Sequence, residues 1–191
     1  MVEYKRVGYV FTASHCTLLR SLSVMEGLLA SGYDIVPIMS ENTYYTDTRF
    51  CGAEEFSRRV EELTGKRIIH TIKDAEPLGP AEPLDLMIVA PCTGNTLAKV
   101  AHGITDTCAT MAIKAHLRAD RPALFAVCSN DALSRNLENI AEMLRHRSVY
   151  LVPMRQDDPV SKPHSLVAEL EMIPQAIDAL SRGEMLRPMF L

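Results

Sequence analysis

The sequence predicts an α/β fold: a three-layer, Rossmann-like open parallel sheet of about six strands with helices on both faces. Three observations predict it. Short β-rich apolar runs recur along the chain, stretches with a 3.6-residue apolar period separate them, and several runs end in small hydroxyl or amide residues beside a helix start.

The six runs are RVGYVF (6–11), YDIVPIM (33–39), RIIHTI (67–72), LDLMIVA (84–90), PALFAVC (122–128) and SVYLVP (148–153). Several are apolar nearly throughout, as strands covered on both faces must be. Helical periodicity follows the first run in Leu18, Leu22, Met25 and Leu29, the fifth in Leu133, Leu137, Ile140 and Leu144, and the sixth in Leu166, Leu170, Ile173 and Ile177. Strand and helix take turns, which calls for parallel pairing through right-handed crossovers. Gly32 and Gly65 fall where helices should end, and Ser129, Asn130 and Asp131 are N-cap candidates for the helix after the fifth run. The stretches 40–52 and 153–165 are long enough to be functional loops. With no repeat, low-complexity segment or linker, residues 1–191 read as one domain.

A chain of 191 residues can bury roughly 70% of its unfolded surface without staples. Its net charge of -4, with Lys+Arg 20 against Asp+Glu 24 interspersed, offers no basic stripe, which argues against a nucleic-acid partner. Five cysteines with no C-x-x-C spacing suit a reduced compartment. The opening MVEYKRVGYVF lacks the apolar core of a signal peptide, and no run approaches the ~20 apolar residues of a membrane span. The expectation is a soluble, cytoplasmic protein without membrane contact.

In an open parallel sheet, ligands bind beyond the carboxyl ends of the strands, near the point where strand order reverses. Four such ends read TASHCT, SENT, PCTGNT and SND. They carry Thr12, Ser14, Ser40, Thr43, Pro91, Thr93, Asn95, Thr96, Ser129 and Asn130 as candidate cofactor-binding residues. Helix N-termini present unpaired N–H groups and partial positive charge, and hydroxyls donate to phosphate oxygens, so the pattern points to an anion. G-x-G-x-x-G and G-x-x-x-x-G-K-[ST] are both absent, so a mononucleotide such as FMN fits better than a dinucleotide, though spacing alone does not single it out. Any one of these residues is more commonly a helix cap; four exits in concert favour a bound phosphate. His15, His102 and His116 show no H-x-x-x-H pairing, so no metal site is expected. Cys92 lies beside the polar cluster, but no activating base accompanies it, and a small buried hydrophobe is its ordinary role.

The segment APCTGNTLAKVAHGITDT resembles the PASANT…KIANGICDN segment of the flavin-dependent cysteine decarboxylase family. That likeness implies the family's fold and places Asn95 at the position whose asparagine lies at the flavin and substrate site, a candidate catalytic residue. A longer likeness, carried by TDTRFCGAEEF, AVCSNDALSRNLENI and YLVPMRQDDPVSKPHSLVAELEMIPQAIDALSRGEMLRP, is to the dipicolinate synthase B-subunit family of spore-forming bacteria, a branch of the same fold group. It implies FMN or a phosphate-binding remnant of its site, and NAD(P) carried by a separate A subunit. It also implies a small dicarboxylate substrate at the dihydrodipicolinate level, formation of dipicolinate during sporulation, and a homo-oligomer that is a trimer or a multiple. Within the QDDP…KP loop and beside it, Arg155, Lys162 and His164 are candidates to pair with substrate carboxylates. The chain departs from the decarboxylases in two places. CSNDAL stands where they carry a methionine- and asparagine-containing motif, and no histidine lies between His15 and His70. FMN-dependent decarboxylation of a cysteinyl substrate is therefore the lesser alternative, alongside a non-catalytic stabilising role.

Overall fold

In a computed structural model, which describes residues 2–79 and 81–191, the strands are β1 (Arg6–Phe11), β2 (Asp34–Met39), β3 (Leu86–Cys92), β4 (Ala123–Ser129), β5 (Val149–Leu151), β6 (Met154–Arg155) and β7 (Leu166–Ala168). The helices are α1 (Leu18–Ala30), α2 (Glu41–Tyr45), α3 (Ala53–Thr64), α4 (Ile72–Ala75), α5 (Gly94–Ala101), α6 (Cys108–Leu117), α7 (Leu137–Leu144) and α8 (Ile173–Ser181). The seven strands form one sheet in the order β2-β1-β3-β4-β7-β6, with β5 also on β4. β1 to β5 pair in parallel, while β7 runs antiparallel to both β4 and β6.

Side-chain alternation makes the three layers. Along β1, Val7, Tyr9 and Phe11 join a core with Leu22 and Met25 of α1, Phe56 and Val60 of α3 and Ile177 of α8. Val10 faces the other way, into a core with Leu97 of α5, Ile113 of α6 and Ile140 of α7. β3 follows the same period of two up to Ala90 and then breaks it. Leu86, Ile88 and Ala90 lie in the first core, yet Cys92 lies in the second with Met87 and Val89. The ladder to β4 shifts register between Val89 and Cys92, and a bulge of this kind inverts the faces beyond it. A buried polar chain crosses the first core: Tyr9 Oη bonds Ser21 Oγ at 2.9 Å, and Ser21 Oγ donates to the Ala90 carbonyl at 2.6 Å. It ties α1 to the sheet beside that bulge.

The structure corrects four sequence expectations. Residues 67–72 form no strand. Ile69 makes one isolated bridge to Ile38, and Thr71 then caps α4 by accepting from the Asp74 amide, so the side-chain cap ends the extended run. Leu166 belongs to β7 and not to a helix, because β7 covers the outer half of β4 beyond the reach of three-residue β5. The helix of that stretch begins only at Ile173, after a 3₁₀ turn at Leu170–Met172. Ser129, Asn130 and Asp131 do not cap α7. Turns intervene, leaving Leu133 outside the helix, and the capping position is Asn136. Gly32 follows the C-cap Ser31 of α1 as expected, with φ of 91°, while Gly65 is itself the C-cap of α3, with φ of 64°, a region glycine enters freely.

His116, fully buried on α6, lies with Nε2 at 2.8 Å from the Pro122 carbonyl, while its Nδ1 has no partner among the described residues. A carbonyl oxygen only accepts, so Nε2 carries the proton. Burial lowers its pKa to about 4 from 6.5. As pH falls below 6.5 the unfolded chain takes up a proton that the folded chain refuses until about pH 4, so stability should drop across that window by on the order of 3 kcal/mol. Thermal melts between pH 7 and 4 should show that loss in the native chain and a shallower one in His116→Gln.

Candidate functional site

The order β2-β1-β3-β4 places its reversal between β1 and β3, and the carboxyl ends of those strands open into a cleft of about 900 Å³. Its floor and walls come from four exits: Ser14 to Cys16 after β1, Arg49 and Phe50 from the 40–52 stretch, Thr93 to Asn95 at the start of α5, and, from the end of β4 into α7, Ser129 to Asp131, Arg135, Asn136, Glu138 and Asn139. Asp157 and Lys162 of the 153–165 stretch close one side.

Thr12 fastens the two diverging exits together. Its hydroxyl donates to the Pro91 carbonyl at 2.8 Å and accepts from the Thr93 amide at 2.9 Å. Thr93 in turn caps α5, accepting from the Thr96 amide at 3.3 Å and donating to Thr96 Oγ1 at 3.0 Å. The amides of Gly94 and Asn95 have no acceptor among the described residues.

On the β4 side, Asp131 organises the wall. Its Oδ1 accepts from Ser129 Oγ at 2.5 Å and from buried Asn136 Nδ2 at 2.8 Å, and Asn136 Oδ1 accepts from Asn139 at 2.9 Å. The Ser129 hydrogen bond, then that of Asn136, holds the Asp131 carboxyl below the usual carboxylate range despite partial desolvation. This network lies directly on Gly94: a Cβ there would stand 2.5 Å from both Asn136 Nδ2 and Ser129 Oγ and 3.0 Å from Asp131 Oδ1. Glycine is required at that position by close approach and not by backbone angle.

Of the residues singled out in the sequence, Ser14, Thr93, Asn95, Ser129, Asn130 and Lys162 line the one cleft. Asn95 and Asn130 are exposed in it. Pro91 and Thr96 are buried beneath it, and Thr12 is buried as the fastening just described. Ser40 and Thr43 sit outside its lining, because Ser40 caps α2: its Oγ bonds Thr43 Oγ1 at 2.9 Å and accepts from the Thr43 amide at 3.3 Å. Arg155 lies away from the cleft in an ion pair with Glu169 at 2.5 Å, and His164 is exposed elsewhere, its carbonyl accepting from the Leu133 amide. Lys162 is paired with Asp157 at 2.7 Å. Cys92 is fully buried, and burial pushes its thiol far up, which removes it as a nucleophile. Burial also pushes Cys128, at the cleft floor, up to about 11.

Sequence reasoning did not assign His15, Arg49, Phe50, Asp131, Arg135 and Asn136 to the site, and all six are in the cleft lining. His15 Nδ1 is buried with no partner among the described residues. Arg49 and Arg135 make no ion pair among the described residues.

A family model described as Flavoprotein matches residues 1–178. The chain belongs to the Flavoprotein family. Within it the chain falls among the dipicolinate synthase B-subunit proteins. The dipicolinate synthase B subunit of Bacillus subtilis (strain 168) is 38% identical over 187 residues, 98% of this chain and 94% of that protein. The crystal structure of the dipicolinate synthase B subunit from Bacillus halodurans superposes with a TM-score of 0.89 at 37% identity, covering 98% of this chain and 96% of that one. The FMN-dependent cysteine decarboxylase SpaF shares the fold, with a TM-score of 0.67 at 19% identity over 94% of both chains. Thus the flavoprotein fold expected from the sequence is the fold of the molecule, a mostly parallel open sheet with helices on both sides. Among the described residues no helix is long and apolar enough to cross a membrane.

Two substitutions probe the construction of the cleft. Thr12→Val removes one donor and one acceptor from the junction of β1 and β3, leaving the Pro91 carbonyl and Thr93 amide unpaired, and should lower stability in urea by about 1–3 kcal/mol, whereas Thr12→Ser should recover most of it. Gly94→Ala drives a methyl group into the Asp131 network and should lose about 1–3 kcal/mol by overpacking, read in the same titration.

Proposed function

We propose that this flavoprotein is the B component of a dipicolinate-forming oxidoreductase. It would use FMN and act with a separate A subunit that carries NAD(P). The cleft at the β1/β3 reversal carries the reading, in a chain whose dipicolinate synthase relatives span nearly its whole length. The residues fit a mononucleotide: a cleft of about 900 Å³ is of cofactor size, two helix-start amides are free, and a buried nitrogen of His15 lacks a partner among the described residues. Ser14, Thr93, Asn95, Ser129 and Asn130 are the residues that would hold FMN, with Thr12, Ser40, Thr43, Pro91 and Thr96 shaping the exits beneath. Bound flavin supplies a two-electron acceptor.

The chain's own contribution is binding and orientation. Conversion of a dihydropyridine dicarboxylate to the pyridine removes one hydride and one proton from the ring, and aromatisation makes the loss favourable. The protein has to hold the ring still against the acceptor and to neutralise two carboxylates. Asn95, exposed at the first turn of α5 on a fastened backbone, presents a carboxamide able to accept from a ring N–H or donate to a carboxylate. The loop residues Lys162, Arg155 and His164, proposed from the sequence as carboxylate partners, divide accordingly: Lys162 remains a candidate at the cleft, while Arg155 and His164 do not line it. The reading extends to sporulation, a cytoplasmic location, and a homo-oligomer, trimeric or a multiple, that light scattering would measure.

Combining purified A subunit, this chain and a dihydrodipicolinate-level precursor should yield dipicolinate at a rate that depends on this chain, with flavin absorbance between roughly 350 and 500 nm travelling with it. Asn95→Ala should fold normally and lower that rate by roughly a hundredfold. Dipicolinate output unchanged on omission of the chain would overturn the reading. A normal rate with Asn95→Ala would give the chain a stabilising role in place of a catalytic one.

A further inference from the structure

We propose that Arg49 and Arg135 are the anion clamp of this cleft, gripping a small ring by carboxylates on two of its flanks. The inference rests on the proposed dicarboxylate substrate and assigns its recognition to two residues outside the QDDP…KP loop.

The charged side chains lining the cleft are Arg49, Arg135, Lys162, Asp131, Asp157 and Glu138, and Glu138, exposed on the first turn of α7, meets neither arginine in an ion pair. Lys162 is neutralised by Asp157 at 2.7 Å. Asp131 is satisfied by Ser129 and Asn136. Arg155, the guanidinium that the loop sequence offers, is bound to Glu169 outside the cleft. Arg49 and Arg135 are left as cleft-lining guanidiniums that meet no carboxylate among the described residues.

Both arginines stand on loops fixed by their own hydrogen bonds. Arg49 sits in a turn where the Thr48 amide donates to the Cys51 carbonyl at 3.0 Å and Thr48 Oγ1 accepts from the Phe50 and Cys51 amides at 3.2 and 3.3 Å. Asp47 anchors that turn to α3 by accepting from the Ala53 amide at 2.8 Å. The Arg49 Cζ atom lies 4.8 Å from the centre of the Phe50 ring, a cation–π contact that restrains the side chain without neutralising it. Arg135 precedes buried Asn136, and the turn holding it is closed by the Ser134 and Asn136 amides, both donating to the Asp131 carbonyl at 3.1 Å.

Topology sets the two on opposite sides. Arg49 follows β2 and Arg135 follows β4, with β1 and β3 between them. Three strand spacings separate the strand ends from which these loops start by about 14 Å, and both side chains line the cleft between them. A guanidinium presents a planar fork that pairs with a carboxylate through two parallel hydrogen bonds. Two such forks facing one cleft select a rigid ring with two carboxylates over one with a single carboxylate.

Calorimetric titration tests the clamp with pyridine-2,6-dicarboxylate, pyridine-2-carboxylate and FMN as separate probes, on the native chain and on Arg49→Gln, Arg135→Gln and Arg155→Gln, each checked for an unchanged melting curve. The native chain should prefer the dicarboxylate over the monocarboxylate at least tenfold. Either cleft variant should weaken dicarboxylate binding about tenfold or more and erase that preference, while Arg155→Gln and FMN binding stay as in the native chain. The proposal is overturned if Arg49→Gln and Arg135→Gln bind the dicarboxylate normally, or if they lose FMN instead, which would make the arginines phosphate partners. Because these are equilibrium measurements, a functioning clamp in a chain that contributes nothing to dipicolinate formation would separate failure of the catalytic reading from failure of this one.

Discussion

The site depends on how two neighbouring strands are held where their connections part. At a reversal of strand order the chain after β1 and the chain after β3 leave in opposite directions, and their ladder ends at Val10 and Val89. Beyond it Thr12 ties the two exits, as a donor to Pro91 of β3 and an acceptor from Thr93, the cap of α5. The bulge in β3 works with it. By exchanging the faces of the strand between Ala90 and Cys92, it turns the chain so that Thr93 reaches Thr12 and opens α5 towards the cleft. A glycine-rich exit would let backbone approach a ligand; this exit substitutes a side-chain fastening, buries Gly94 under the Asp131 network and leaves Asn95 exposed in the cleft.

Much of the fold was legible in the sequence because burial on both faces writes a strong signal. Runs 6–11, 84–90 and 122–128 are central strands and 33–39 is the edge strand β2, covered on both faces, so all four are apolar nearly throughout. The errors fall where tertiary context overrides local pattern. RIIHTI has the composition of a strand but lies beyond the β2 edge with only Ile38 to pair with. The period of Leu166, Leu170, Ile173 and Ile177 is helical, yet Leu166 fills the second core from a strand because β5 stops at Leu151 and leaves the end of β4 open.

The site was legible in residue type and less so in assignment. Sequence identifies which hydroxyls stand at strand ends, but not where each finds its partner. Thr12 and Ser40 look alike in the sequence, and both turn out to be committed to neighbouring protein atoms. Asn95 and Asn130 share one cleft because their exits are adjacent across β3 and β4, a fact of strand order that no local window contains. Arg49 and Arg135 lay within TDTRFCGAEEF and AVCSNDALSRNLENI, two stretches that carried the family likeness. Their availability is visible only once Lys162 is matched with Asp157 and Arg155 with Glu169.

The Asp131 carboxylate governs where in the cleft an anion can rest. It lies against the first turn of α5, where only the absence of a side chain on Gly94 makes room for it, and it is held ionised by Ser129 and Asn136. A helix start that would otherwise attract phosphate thus carries a fixed negative charge. A second anion within about 4 Å would meet a repulsion of roughly 4 kcal/mol at the effective dielectric of a protein surface, more than the roughly 0.3–2 kcal/mol that a helix N-terminus returns. Anionic groups are therefore displaced from the α5 entrance towards the β1 exit at Ser14 and His15 and towards the arginines at the rim. An uncharged polar ring edge can still use the free Gly94 and Asn95 amides. The same carboxylate that disfavours a phosphate at the helix start leaves that position open to the neutral part of a ligand, and its place against the first turn of α5 follows from one glycine.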